Sequence, residues 1–163
     1  MASTNPTNGS KITPKISSRS REKRTIDEEA GPELKLGEFQ HSSAITVSEA
    51  RELLSMVFKH RLEQGKYELP KKDTERGAVV NKTQEYLEIF SRFKNRESVE
   101  AVDRLLNSQP DLDPFEKAQL GSLCCDSAEE AKTLIPSLEA KKSDEELQDL
   151  LNEITKLRNF VDT

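Results

Sequence analysis

The sequence predicts an all-α body preceded by a non-globular tail, and three observations predict it. Four helix-start signals follow residue 45: Thr46 with Glu49, Asp113 with Glu116, Asp126 with Glu129, and Ser143 with Glu146. In each, a short polar side chain and a carboxylate three residues on can satisfy backbone N–H groups that a first helical turn leaves unpaired. No segment after residue 40 alternates apolar and polar residues with the period of a strand. Residues 81–97 place Tyr86, Leu87 and Phe90 on one side, with Val79, Thr83 and Phe93 extending it and Lys82, Glu85, Glu88 and Arg92 opposite.

Charge separates the tail from the body. Residues 1–25 hold Lys11, Lys15, Arg19, Arg21, Lys23 and Arg24 against Glu22, a net of +5. The whole chain of 163 residues carries −5, so the remainder carries −10. With few apolar residues and no period among them, residues 1–26 are expected to be a disordered basic tail. The cluster Arg21–Arg24 fits a nuclear import signal or an electrostatic arm, and equally a solvated tail with no role. An acidic body argues against tight general binding to a phosphate backbone, which needs lysine and arginine to neutralise phosphates. No apolar run approaches the ~18 residues of a membrane span, and no signal-peptide core is present, so a soluble product made in the cytosol is expected.

The first structured element is expected at Leu34, Leu36 and Phe39, where Leu34 and Leu36 alternate with Lys35. A lone strand needs an edge to pair with. It either packs over the chain's own helices or adds to a partner's sheet. Thr46 opens the first helix, whose face is Val47, Ala50, Leu54, Val57 and Phe58, and which frays near Gly65. Residues 64–78 read as a long polar loop with Tyr67 and Leu69 as anchors. The helix over 81–97 follows, with Phe90 as its expected deepest anchor, worth about 3–5 kcal/mol if fully buried.

After a turn at Asn95, a helix carries Val99, Val102, Leu105 and Leu106 and breaks at Pro110. Asp113, Pro114 and Glu116 start a helix that buries Phe115, Ala118 and Leu120 and ends at Gly121. Asp126 opens another, stopped by Pro136, and Ser143 opens the last, with Leu147, Leu150, Leu151, Ile154 and Leu157 on one side. Three divisions follow: the tail over 1–26, a partner-binding strand, helix and loop over 27–78, and a helical body over 79–163.

Few residues suggest chemistry. Cys124 and Cys125 are adjacent, so they cannot staple distant segments or supply the four ligands of structural zinc. They are expected to be reduced thiols, at least one of them buried. His41 and His60 stand apart from any nucleophile in the sequence, and the carboxylates sit largely at caps and on helix faces. No catalytic residue, metal or cofactor is expected. Arg92, Lys94 and Arg96 form a basic group that either complements the end of the 81–97 helix or contacts RNA or protein.

The segment NKTQEYLEIFSRFKNRE, Asn81 to Glu97, closely resembles the hallmark of one family, the fourth subunits of eukaryotic RNA polymerase II. ITVSEAR from Ile45, FEKAQLGSLC from Phe115, AEEAKTLIPSLE from Ala128 and DEEL from Asp144 are similar to further segments of that family, in the same order. The resemblance spans roughly residues 34–160 and implies an HRDC-like helical bundle. It also implies a non-catalytic stalk subunit that heterodimerises with the seventh polymerase subunit, which carries an oligonucleotide-binding barrel. Such a stalk docks on the polymerase core beside the clamp, supports initiation, and receives transcription and RNA-processing factors.

With that resemblance, strand addition becomes the favoured reading of Leu34, Leu36 and Phe39, and the face Val47, Leu54, Val57 and Phe58 becomes the rest of a partner interface. Arg92, Lys94 and Arg96 are a secondary contact, and nucleic acid is met mainly through the partner. The implied location is the nucleus, with the cytoplasm as a second compartment. The competing reading is a stand-alone helical nucleic-acid-binding module of the helicase- and RNase D-associated kind.

Overall fold

The computed structural model describes residues 29–40, 42–65 and 74–159, the side chains of residues 76 and 159 aside. The basic tail, His41, Tyr67 and Leu69 lie outside the described residues. Two short strands, β1 (Glu29–Ala30) and β2 (Leu34–Lys35), precede six helices: α1 (Val47–Glu63), α2 (Glu75–Phe90), α3 (Arg96–Asn107), α4 (Pro114–Leu123), α5 (Ala128–Leu134) and α6 (Asp144–Asn159). Single 3-10 turns occupy Gly37–Phe39 and Pro136–Leu138. The all-α expectation holds.

Helix starts follow the local signals closely. Thr46 Oγ1 accepts from Glu49 N–H at 3.1 Å while Thr46 N–H donates to Glu49 Oε2 at 2.6 Å. Asp113 and Glu116 form the same reciprocal pair, as do Ser143 and Glu146. At α5 the cap lies one residue later than expected: Ser127, not Asp126, accepts from Glu130 N–H at 3.2 Å. Asp126 instead donates its own N–H to Glu130 Oε2 at 2.9 Å. Either residue can cap, and the adjacent Glu129 and Glu130 offer a carboxylate three residues on from each.

The other boundaries depart further from expectation. Thr74 caps α2 by accepting from Gly77 N–H at 3.1 Å, so residues 75–78 are helix rather than loop. The same helix ends at Phe90, well before Asn95. Gly121 does not end α4; the stop is Cys124, in the left-handed region at φ 52°. The expected strand is two residues long and pairs within the chain, Ala30 with Leu34 and Glu29 with Lys35.

One buried cluster joins α3, α4, α5 and α6. It runs from Phe93 through Val99, Val102 and Leu106 to Leu120, Ala131, Leu138, Leu147, Leu151 and Ile154. Phe115 and Ala118, expected inside, are only partly buried. Cys124 and Cys125 are free thiols, both buried. Burial pushes the Cys124 thiol up to about 11, with smaller opposing effects from Arg158 and Arg92. Helix α1 packs on α2, α3 and α4, bridging the cluster to α2. The buried residues Phe58 and Leu87 lie apart from the main cluster, on α1 and α2.

Gly121 marks a close approach of α4 to the start of α1 and to α3. A Cβ there would sit 2.7 Å from Thr46 Cγ2 and 3.0 Å from Leu106 Cδ1. Alanine would improve intrinsic helix propensity by about 1 kcal/mol. Overpacking against the α1 cap and α3 costs about 1–3 kcal/mol, so Gly121→Ala is expected to destabilise. A urea midpoint at or above that of the parent protein would show that Thr46 and Leu106 yield freely.

Candidate partner-binding surface

The exposed apolar surface is concentrated in one part of the chain. Ten large apolar side chains among the described residues stay exposed: Phe39, Ile45, Leu53, Met56, Leu62, Val79, Tyr86, Ile89, Phe90 and Leu134. Nine of them fall within residues 39–90. The body from α3 onward leaves only Leu134.

Polar contacts lock α1 and the end of α2 in the positions that create this surface. Ser48 is buried, and its Oγ accepts the Phe93 N–H at 3.0 Å, fixing the segment after α2 against α1. Val47 N–H donates to Ser122 Oγ at 3.1 Å, tying the start of α1 to α4. Arg51 reaches from α1 to Glu88 Oε2 at 3.3 Å and to the Lys94 carbonyl. The backbone leaves the helix at Ser91 and drives Phe93, 2% exposed, into the core.

Phe90 therefore corrects the sequence expectation. It is 52% exposed, and its ring lies against Tyr86 at a centroid distance of 4.6 Å. Periodicity identified an apolar stripe on α2, but only a neighbouring element can cover one, and α2 packs chiefly on α1. Within that stripe Leu87 takes the buried place. Phe90→Ala is expected to cost about 1–2 kcal/mol, from half-burial and one ring pair, instead of the 3–5 of a core phenylalanine. Thermal unfolding distinguishes these values.

Two grooves open beside these residues. The larger, about 580 Å³, lies between the start of α1, the end of α2 and α4, and its walls include Ile45, Tyr86, Phe90, Arg92 and Phe115. A smaller one, about 210 Å³, lies between α1 and α3. It has Leu53, Met56 and Val99 as its apolar part, with Glu49, Glu52, Glu100 and Asp103 around it.

The residues expected to meet a partner are dispersed. Leu34 and Leu36 are half-buried beside the hairpin, and Phe39 is 64% exposed. Val47, Leu54 and Val57 are partly covered, whereas Phe58 is buried within the chain. Sequence reasoning did not select Ile45, Leu53, Met56, Tyr86, Ile89 or Phe90 as surface residues. The adjacency of Ile89 and Phe90 was the available signal, since a narrow helical face cannot cover both.

The basic group is not one patch. Lys94 lies beyond α2 but folds back onto its last turn, donating to Ser91 Oγ at 2.9 Å and to the Glu88 carbonyl. It thus meets the helix C-terminus from outside, where a cation is favoured. Arg96 opens α3 and pairs with Glu100 at 2.8 Å. That hydrogen bond raises its pKa, as does the carboxylate charge. Arg92 alone faces the larger groove. Among the described residues, no three or more His, Cys, Asp or Glu side chains are grouped to hold a metal ion, and no helix is long and apolar enough to cross a membrane.

Comparison with protein families matches residues 44–158 to RNA polymerase Rpb4. The chain belongs to the Rpb4 family. It is 44% identical over 140 residues to the DNA-directed RNA polymerase II subunit rpb4 of Schizosaccharomyces pombe, covering 85% of this chain and 98% of that protein. Identity reaches 56% over 81 residues with the corresponding subunit of Saccharomyces cerevisiae, covering 50% of this chain and 36% of the relative. DNA-directed RNA polymerase II subunit 4 of Arabidopsis thaliana is 32% identical over 138 residues, 82% of this chain and 96% of its own length. The Rpb4 match takes in all six helices and both grooves, whereas the hairpin with Leu34, Leu36 and Phe39 precedes it.

Proposed function

We propose that this Rpb4-family chain is a non-catalytic subunit of DNA-directed RNA polymerase II, the smaller member of a stalk heterodimer with the seventh subunit. In this reading it works in the nucleus, docks beside the clamp of the polymerase core, supports initiation, and offers a surface to transcription and RNA-processing factors. The observation that carries the reading is that nine of the ten exposed large apolar side chains among the described residues fall within residues 39–90. Apolar surface gathered in one region of a small protein marks a contact with another macromolecule.

The proposed organisation keeps a tail over 1–26, a partner-binding region over 27–78 and a helical body over 79–163. Tyr86, Ile89 and Phe90 extend the partner-binding surface into the first helix of the body. Leu34 adds a strand-type contact along an edge of the hairpin, Leu36 and Phe39 add contacts from the 3-10 turn beside it, and Val47, Leu54 and Val57 add the covered margin of α1. A stand-alone nucleic-acid role draws less support, because Lys94 and Arg96 are engaged inside the chain.

Light scattering of the chain mixed with the seventh subunit, with hydrogen exchange on free and mixed samples, tests the reading. A one-to-one complex with new protection over residues 34–58 is the expected result. Absence of a complex, with exchange unchanged, would overturn it. Leu36→Asp is expected to weaken pairing while leaving the unfolding of the body unaltered. A variant heterodimer that survives dilution like the parent would remove the hairpin-and-turn contact from the interface.

A further inference from the structure

We propose that the smaller groove, between α1 and α3, docks a basic amphipathic helix of a partner protein. An apolar side chain of that helix sits against Leu53, Met56 and Val99, and flanking lysine or arginine side chains meet the carboxylates of the rim. This goes beyond the stalk reading and does not rest on it.

The groove offers apolar surface that the fold leaves in water. Val99 is buried at its floor, whereas Leu53 and Met56 on its wall stay about half exposed. The space beside them is about 210 Å³, below the ~300 Å³ at which pockets for drug-sized ligands begin. It suits a protruding side chain of another protein better than an enclosed small molecule. Methionine also adapts its shape to what it meets, which is why it recurs at binding surfaces.

The shape of the groove favours a helix. On α1, Glu49, Glu52, Leu53 and Met56 follow the i, i+3, i+4, i+7 spacing of one helical face. On α3, Arg96, Val99, Glu100 and Asp103 repeat that spacing. Two such faces bound a trough about 10 Å long, or two helical turns. A third helix lays its own apolar side chains into such a trough at the same spacing.

Charge selects the occupant. Among the described residues, Arg96 is the one basic side chain in the lining, and Glu100 holds it at 2.8 Å. The Glu100 hydrogen bond and charge do most to raise the Arg96 pKa, and the Glu52 charge adds to them. Glu49 accepts from the Thr46 N–H and Asp103 from the Asn107 amide, neutral donors that leave both charges uncompensated. The lining thus holds four carboxylates against one guanidinium, a surplus of three negative charges. Such a rim repels phosphates and anionic lipid, which removes nucleic acid and membrane as occupants. It attracts lysine and arginine, whose aliphatic stems also cover apolar surface.

The sequence holds two methionines, Met1 and Met56, so isotope-labelled methionine methyl groups in the full chain place one magnetic-resonance probe in the groove. The titrant is a synthetic helical peptide with a leucine stripe flanked by lysines, added up to about 1 mM. It is expected to shift the Met56 methyl saturably, and the same peptide with glutamate for lysine is expected to leave it in place. Leu53→Ser and Glu52→Lys should each weaken binding about tenfold while the urea midpoint stays close to that of the parent. An unmoved Met56 methyl overturns the proposal, as does equal binding of the two peptides or a Glu52→Lys variant that binds like the parent. A Met56 signal that moves with protein concentration alongside a doubled mass assigns the groove to a second copy. One that moves on deleting residues 1–25, with no peptide present, assigns it to the chain's own basic segment. Peptide binding abolished by the seventh subunit assigns it to the stalk partner. Each of these three results overturns docking of a separate basic helix. Formation of the stalk heterodimer is read separately by mass, so either reading can fail alone.

Discussion

Glu116→Ala is expected to lower the unfolding free energy by about 3 kcal/mol, at the lower end of the range for breaking a buried charge pair. Glu116 has no exposed surface. Its Oε1 accepts from Ser137 Oγ at 2.5 Å, and its Oε2 accepts from Lys141 Nζ and from Asp113 N–H, both at 2.8 Å. One carboxylate thus caps α4, holds the 3-10 turn at Pro136–Leu138, and receives the lysine that precedes α6. Alanine removes both acceptor oxygens with their three hydrogen bonds and leaves the buried Ser137 hydroxyl and the partly buried Asp113 N–H without that partner, each a costly loss.

The charge left behind moderates the effect, because Lys141 retains Asp113 at 2.7 Å and partial exposure. Burial alone would lower the pKa of Lys141, but hydrogen bonds and charge from Asp113 and Glu116 outweigh it and raise the value above the ordinary 10.5. A raised lysine pKa stabilises the fold fully below the unfolded value, and this contribution is lost as pH rises through the folded value. The Glu116→Ala penalty should therefore persist through neutral pH and shrink only in strong alkali. Urea unfolding at pH 7 and above pH 10 measures both points. Glu116→Gln keeps an acceptor and the shape, and a cost as large as that of alanine would refute the account of the network.

The second large effect is expected at Leu147, where alanine should cost about 2–5 kcal/mol. Leu147 has no exposed surface and lies in the first turns of α6, the helix that packs on both α3 and α5. Truncation there loses transfer energy and leaves a cavity bounded by several helices that cannot all move inward. Leu134→Ala on α5 is the control: at 54% exposure it should change stability by less than about 0.5 kcal/mol. Against a total of about 5–15 kcal/mol for a domain of this kind, the Leu147 variant should show a clearly lower melting temperature. Similar melting of the two variants would contradict the packing of α6.

Much of the architecture was legible because helix starts are local events. Thr46 with Glu49, Asp113 with Glu116, and Ser143 with Glu146 each close within three residues, and no distant neighbour is needed for the pattern to hold. The one-residue shift from Asp126 to Ser127 arose where two caps and two glutamates overlap. The candidate surface was less legible. An exposed apolar set was expected before residue 60, where Phe39, Ile45, Leu53 and Met56 lie, whereas Leu62, Val79, Tyr86, Ile89 and Phe90 extend it beyond. The last two helical turns of α2 were assigned to a helical face with no test of what lies opposite.

By itself, the sequence determined the helical class, the places where most helices begin, the reduced cysteines and the resemblance that the Rpb4 match bears out. These depend on residues adjacent along the chain, or on patterns shared with relatives. Only the tertiary structure decided that Phe93 is core while Phe90 faces water, that Gly121 is a helix contact and not a helix end, and that β2 pairs with β1. Burial depends on which elements meet, and those meetings join residues far apart in sequence, such as Ser48 with Phe93 and Gly121 with Thr46. An apolar stripe states that a face should be covered; the neighbour that covers it is set by packing.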